Sequence, residues 1–400
     1  MVKVRQALLT GTEFRAMRGQ PAWTRAEIFG QVDKKEGVSN LTLEQDWIER
    51  CSTQNSNMAP VMNSNLRNLD VLRAFAVLAV AGSHLFRYAS NSPRFVVFFN
   101  NLGIGGVLFF FVHTTLVLFL SMERTKAVHL TWDFYIRRAF RIYPLCWACV
   151  IVVLGTGLTD VAHEKIAHMG WPGILVNLAL VQNIIRYPNV EMPLWSLPWE
   201  VQMYLFLPAF YLLMKRYNRT IVPLAMWAIA AALAIIFTAP YIPRAFHFVL
   251  FPPMFIGGMI AYRLRRDVPM KIPAFMWPPA ILGLMLARCL LLHGESIEPT
   301  HNVVVNAVTC LLLGLGIPLF KEVSAGWITY PAGQIAKYSY GIYLLHIPSL
   351  EFVFRYLPAL SLPLKVAAFV VIALTASVIS YHLLEHPGIQ LGRSVAKRVT

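Results

Sequence analysis

The sequence predicts an all-α, polytopic integral membrane protein with about ten transmembrane helices around a polar cavity. Three observations predict it. Apolar residues make up 57% of the 400 positions and charged residues only 14%, whereas soluble domains carry about 25% charged residues. From residue 69 onward, apolar runs long enough to cross a bilayer follow one another. Ionisable residues stand inside those runs at helical spacing, and a charge there is costly unless it faces protein or water.

Residues 1–65 are polar and mixed in charge, with little apolar surface to bury, and are expected to form a flexible cytoplasmic tail. Translation from Met58 or Met62 is an alternative that would leave out residues 1–57. Ten runs then follow, at 69–88, 102–121, 139–157, 195–214, 221–239, 246–262, 273–293, 301–320, 338–356 and 363–384. The run at 171–185 is apolar but short. If it crossed, Lys215, Arg216 and Arg219 would face outward, against the positive-inside rule. If it dips into the outer face, the basic clusters at 124–141, 215–219, 263–271, 321–337 and 393–398 are all cytoplasmic. The expected topology therefore has both termini in the cytoplasm, a membrane domain at 66–392 and a short basic tail at 393–400.

No cleavable signal peptide is visible before residue 69, so the chain is expected to insert through its own first span. Five dispersed cysteines exclude a disulfide framework. The net charge of +15 lies between the apolar runs, which fits cytoplasmic loops and an anionic ligand, not nucleic acid. No close set of His, Cys, Asp and Glu has ligand spacing, so no metal is expected.

The first span, LDVLRAFAVLAVAGSHLFRY, carries Asp70, Arg73 and His84. Eleven helical steps return Arg73 and His84 to one face, roughly 16 Å apart along the axis, and that face should point into a polar cavity. Charges at the headgroups and a satisfied interior histidine are the other account. In WDFYIRRAFRIYP, Arg138 and Arg141 share a face one turn apart. They form a two-pronged guanidinium site suited to phosphate, or anchor the helix at the cytoplasmic surface. In LWSLPWEVQMYLFLP, Glu200 lies inside a span and needs a partner. His84 at similar depth would make a His–carboxylate pair fit for general-base work. Arg186 or Arg244 would make a structural bridge instead.

These segments resemble the acyltransferase 3 family of bacterial membrane O-acyltransferases. Arg73 and His84 match its Arg, ten residues, His hallmark. Arg138 and Arg141 match its Arg-x-x-Arg. Trp195, Ser196, Leu197 and Glu200 match Trp-Ser-Leu-x-x-Glu. SYGIYLLHIP, with Tyr343 and His346, and YHLLEHP, with Glu385, resemble its late motifs. The sequence departs at His113-Thr114, where the family has Ser-Gly, and at Pro198-Trp199. The resemblance implies transfer of an acyl group, acetyl foremost, from cytosolic acyl-CoA to a hydroxyl of a cell-surface or exported glycan, in the bacterial inner membrane. It implies His84 and Glu200 as catalytic residues and Arg73, Arg138 and Arg141 as donor-binding. Asp70, Trp195, Ser196, Tyr343 and His346 are in support. His346 is expected two turns inside the cytoplasmic face, where a donor thioester could pass, with packing as an equal account. A transporter or flippase for a polar or lipid-linked substrate and an acylase of a small secreted metabolite are the competing readings.

Overall fold

The computed structural model describes residues 66–90, 92–125, 130–161, 166, 168–239, 244–292 and 302–399. The expected tail at 1–65 and the alternative starts at Met58 and Met62 lie outside the described residues. Among the described residues the protein is helical with no strand, and a single β-bridge joins Ile272 to Phe320.

The chain forms α1 (Arg67–Ala89), α2 (Pro93–Arg124), α3 (Leu130–Thr156), α4 (Gly170–Leu178), α5 (Leu197–Arg216) and α6 (Ile221–Ile236). It continues through α7 (Pro252–Leu264), α8 (Trp277–Leu291), α9 (Val303–Gly316), α10 (Gly326–Tyr356), α11 (Leu362–Ser380) and α12 (His386–Val399). Six helical stretches are long and apolar enough to cross a membrane: Arg67–Ala89, Val96–Arg124, Leu130–Thr156, Phe246–Leu264, Ala274–Leu291 and Leu362–Val399. Ile221–Ile236 and Val303–Leu319 are apolar but shorter. The protein is thus a multi-pass helical membrane protein, while length and apolarity do not confirm the count of ten.

The helix α4 has nine residues, about 13 Å at 1.5 Å per residue, less than half the hydrocarbon thickness of about 30 Å. It does not cross. The chain turns at Leu180 (φ 56°), makes one helical turn over Gln182–Ile185, and turns again at Arg186 (φ 64°). Both residues sit in the left-handed region, which costs a non-glycine residue about 1 kcal/mol or more. Buried side chains hold the fold-back in place. Asn177 Nδ2 donates to Gly173 O (2.9 Å) and Pro188 O (3.0 Å), and its Oδ1 accepts from Val190 N (3.1 Å). Gln182 Nε2 donates to Leu194 O at 3.1 Å. The loop that leads into α5 is thereby folded into the protein.

The helices α1 and α2 form a hairpin, α10 packs along α1, α11 along α10, and α7 lies against α2 and α9. Close approach explains one glycine in particular: a Cβ on Gly258 of α7 would overlap the Val112 carbonyl of α2. The residues expected as a basic tail continue α12, which lies on α3 with Gly388 and Gly392 against Phe140. One π-helical turn, Tyr381–Glu385, joins α11 to α12. Such turns offset the side chains that follow, and here Glu385 is buried at 1% exposure.

Candidate active site

Three contacts tie α1 to α10 in the same order along both helices, so the two run parallel. Near the start of α1 and midway along α10, Arg73 Nε donates to Ser339 Oγ at 2.6 Å. Further along, the rings of His84 and His346 stand 5.1 Å apart, centroid to centroid. Last, Tyr88 OH donates to Glu351 Oε1. The expected sharing of one face by Arg73 and His84 holds, because both meet the same helix.

A small, partly open pocket lies beside this seam, lined by Arg73, Phe110, Thr114, Ser196, Glu200, Ser339, Tyr340 and Tyr343 among others. At its Arg73 end, Arg138 and Arg141 from α3 come within electrostatic reach of Arg73, and so do Glu200 and Glu385. His113 of α2 faces the same arginines. Neither Arg138 nor Arg141 forms a hydrogen bond or ion pair among the described residues. Three guanidiniums and two carboxylates in one interior region leave an excess of positive charge, and three clustered cations favour a bound anion. Asp70, in the first turn of α1, is near Arg73, but the Arg73 Nε hydrogen goes to Ser339.

Two expected placements change. Glu200 does not meet His84. It lies in the first turn of α5 and accepts a hydrogen bond from Tyr204 OH one turn on, on the arginine side of the cavity. The cause is the folded-in loop before α5. Ser196 Oγ lies 2.6 Å from Tyr343 OH, which donates to Pro193 O at 3.0 Å. The start of α5 is therefore pinned beside Tyr343, one turn before His346 on α10. His346 itself lies level with His84 and is twenty residues along α10, which starts at Gly326, well before the apolar run at 338. Trp195 packs its ring towards Phe251, 6.3 Å away, and so shapes the wall behind Ser196.

Beyond the histidines lies a layer of ion pairs. Arg87 meets Asp160 at 2.8 Å, and Arg355 meets Glu351 at 2.8 Å. Asp160 Oδ1 also accepts from Met192 N at 3.1 Å. Glu191, in the loop before α5, is fully buried and accepts from Cys149 Sγ at 3.1 Å. Burial pushes its carboxyl up to about 8, against the lowering effect of the Cys149 hydrogen bond. Tyr204, Ser339, His113 and Glu385 are site residues to which sequence reasoning gave no such role. Tyr204 carried a readable signal, its i+4 spacing from Glu200. Among the described residues no three metal-ligating side chains gather.

The arrangement has a cluster of guanidiniums at one end and, further along the seam, a pair of imidazoles. A family model described as an acyltransferase domain matches residues 66–382. The chain is 26% identical over 333 residues to the peptidoglycan O-acetyltransferase OatA of Listeria monocytogenes serovar 1/2a, covering 70% of this chain and 49% of the relative. It is 27% identical over 190 residues to the acyltransferase MdmB of Streptomyces mycarofaciens, covering 45% and 47%. The chain thus spans about half the length of the curated relatives it matches. No solved structure matches it. Since the family model runs from the start of α1 past the end of α11, over the helices that supply Arg73, His84, Arg138, Arg141, Glu200 and His346, the chain belongs to the acyltransferase 3 family.

Proposed function

We propose that the protein is a membrane O-acyltransferase that moves an acyl group, acetyl foremost, from cytosolic acyl-CoA to a hydroxyl of an exported or cell-surface glycan in the bacterial inner membrane. The observation that carries this reading is the convergence of Arg73, Arg138 and Arg141 at one end of a cavity whose bordering helices carry His84 further along. The guanidiniums hold the donor's phosphates as charge-assisted pairs, and the acyl-bearing arm extends along the cavity towards His84.

His84 removes the acceptor hydroxyl proton as its oxygen bonds to the thioester carbonyl carbon. The carbon–sulfur bond then breaks, and the proton leaves with the CoA thiolate. Glu200, held by Tyr204, balances the arginine charge. Asp70 stands near Arg73 at the start of α1, while Ser196, Tyr343 and Trp195 fix the wall along which the donor arm lies. A glycan acceptor is supported by the name of the Listeria relative, a peptidoglycan O-acetyltransferase.

The test uses membranes bearing the full chain, radiolabelled acetyl-CoA and glycan and lipid extracts of the host. Label entering a base-labile product with the wild type, but not with His84→Ala or the Arg138→Ala/Arg141→Ala pair, is the expected result. Equal labelling by wild type and folded His84→Ala would remove the histidine from the chemistry. Absence of both labelling and acetyl-CoA binding would favour a carrier of a polar or lipid-linked substrate.

A further inference from the structure

His346 is fully buried, and its two ring nitrogens differ sharply in surroundings. Nδ1 lies 2.8 Å from Tyr343 O and 3.2 Å from Ile342 O. With two carbonyl acceptors facing it, Nδ1 carries the proton, and Nε2 is left with the lone pair. That Nε2 is buried and has no hydrogen-bond partner among the described residues, and the same is true of His84 Nδ1. Two orphaned nitrogens on rings 5.1 Å apart, with planes inclined at 49°, are an unusual pair, because buried polar atoms are nearly always satisfied. A ring separation of 5.1 Å is short enough for a nitrogen-to-nitrogen hydrogen bond when the two nitrogens face each other.

Among the described residues no carboxylate hydrogen-bonds or ion-pairs with His84, and buried Glu191 accepts from Cys149 Sγ. Glu200 is engaged by Tyr204, Asp160 by Arg87, and Glu351 by Tyr88 and Arg355. The charged groups facing the pair, Arg87 on α1 and Asp160 after α3, neutralise each other.

We propose that His346 is the positioning residue for His84. Its Nε2 accepts the His84 Nδ1 hydrogen, fixes the tautomer in which His84 Nε2 is free to act as base, and steadies the imidazolium formed as that nitrogen takes the acceptor's proton. The role rests on the acyltransferase reading above. The acceptor O–H proton moves to His84 Nε2 as the new carbon–oxygen bond forms, and returns to the CoA sulfur as the carbon–sulfur bond breaks. His346 neither gains nor loses a proton overall. An imidazole thus does here what a carboxylate does in a Ser-His-Asp triad.

The experiment compares the wild type with His84→Ala, His346→Phe, His346→Gln and the pair His84→Ala/His346→Phe. Each is reconstituted as full chain in lipid and assayed with labelled acetyl-CoA and the host extract. His346→Phe is expected to lower kcat about 100-fold while leaving the KM for acetyl-CoA within about twofold. In His346→Gln the amide oxygen still accepts from His84, and about a tenfold recovery over the phenylalanine variant is expected. The pair is expected to be no slower than His84→Ala alone, because a residue acting through His84 has nothing left to act on. The glutamine variant also reports where the phenylalanine variant fails to insert. Additive losses in the pair, a rise in KM without loss of kcat, or glutamine no better than phenylalanine overturns this role and leaves the acyltransferase reading standing. A wild-type rate in His84→Ala overturns both.

Discussion

Tyr204 donates its phenolic hydrogen to Glu200 Oε1 from one turn further along α5, which commits Glu200 to the arginine side of the cavity. The carboxylate of the Trp-Ser-Leu-x-x-Glu segment is therefore part of a charge balance with Arg73 and Arg138, and His84 is left to its neighbour on α10.

Removing that negative charge should leave the guanidiniums less compensated. Glu200→Gln is expected to lower the thermal midpoint of the ligand-free protein by a few degrees, since stripping one partner from an interior charge cluster costs about 1–3 kcal/mol. Coenzyme A, whose phosphates supply the missing charge, should then raise the midpoint more in the variant than in the wild type. Thermal unfolding in detergent with and without coenzyme A checks this. An equal or smaller ligand shift in the variant would remove Glu200 from the balance.

Arg138 and Arg141 have no ion-pair partner among the described residues, and on the proposed function their charge serves the donor's phosphates. Arg138→Ala/Arg141→Ala is expected to raise the KM for acetyl-CoA by 10-fold or more, on the order of two lost charge-assisted contacts at 1.5–3 kcal/mol each. The thermal midpoint without ligand should hold or rise, because mutual repulsion is relieved. Steady-state kinetics and unfolding on the same preparations decide. A fallen midpoint with unchanged KM would make the pair a structural anchor.

The α1 face with Arg73 and His84 and the α3 face with Arg138 and Arg141 were legible because both are local: helical periodicity alone puts the residues on one side. Helix existence was legible for the same reason, since each of the ten apolar runs overlaps a helix. Depth was not legible. Counting from the start of an apolar run places His346 near the cytoplasm, but α10 begins at Gly326 and climbs parallel to α1, so position 346 reaches position 84. Glu200 was misplaced because its depth depends on the loop before it, whose inward fold rests on side-chain bonds such as Asn177 to Pro188 and Tyr343 to Pro193. Glu385 is turned inward by a π-helical turn that leaves no periodic trace.

Glu191 gives the fold a pH dependence outside the spans. Unfolded, it titrates near its ordinary 4.5; folded, burial carries it to about 8. Between those values the folded state holds a proton that the unfolded state has released. Stability therefore falls as pH rises from about 4.5 to about 8, and flattens above, by at most about 5 kcal/mol. Glu191→Gln keeps the neutral form at every pH. It is expected to match the wild type near pH 5 and to exceed its thermal midpoint near pH 9. Parallel midpoints for the two proteins across that range would contradict the buried, protonated carboxyl.

Arg288 is 2% exposed and joins three helices without touching the cavity. From α8, its Nε and Nη2 donate to Asn306 Oδ1 on α9 at 3.0 and 2.8 Å, and its Nη1 donates to Asn101 O on α2 at 2.5 Å. Arg288→Ala removes all three charge-assisted bonds, for an expected loss of about 3 kcal/mol or more. Lysine supplies a single point charge in place of the planar fork, so Arg288→Lys should recover only part of the midpoint. Because Arg288 does not line the cavity, the acyl-transfer rate per folded molecule should stay within about twofold of wild type in both variants. Unfolding curves, with activity normalised to the folded fraction, separate the two effects. A large loss of kcat in fully folded Arg288→Lys would mean that this helix junction governs the cavity as well as the fold.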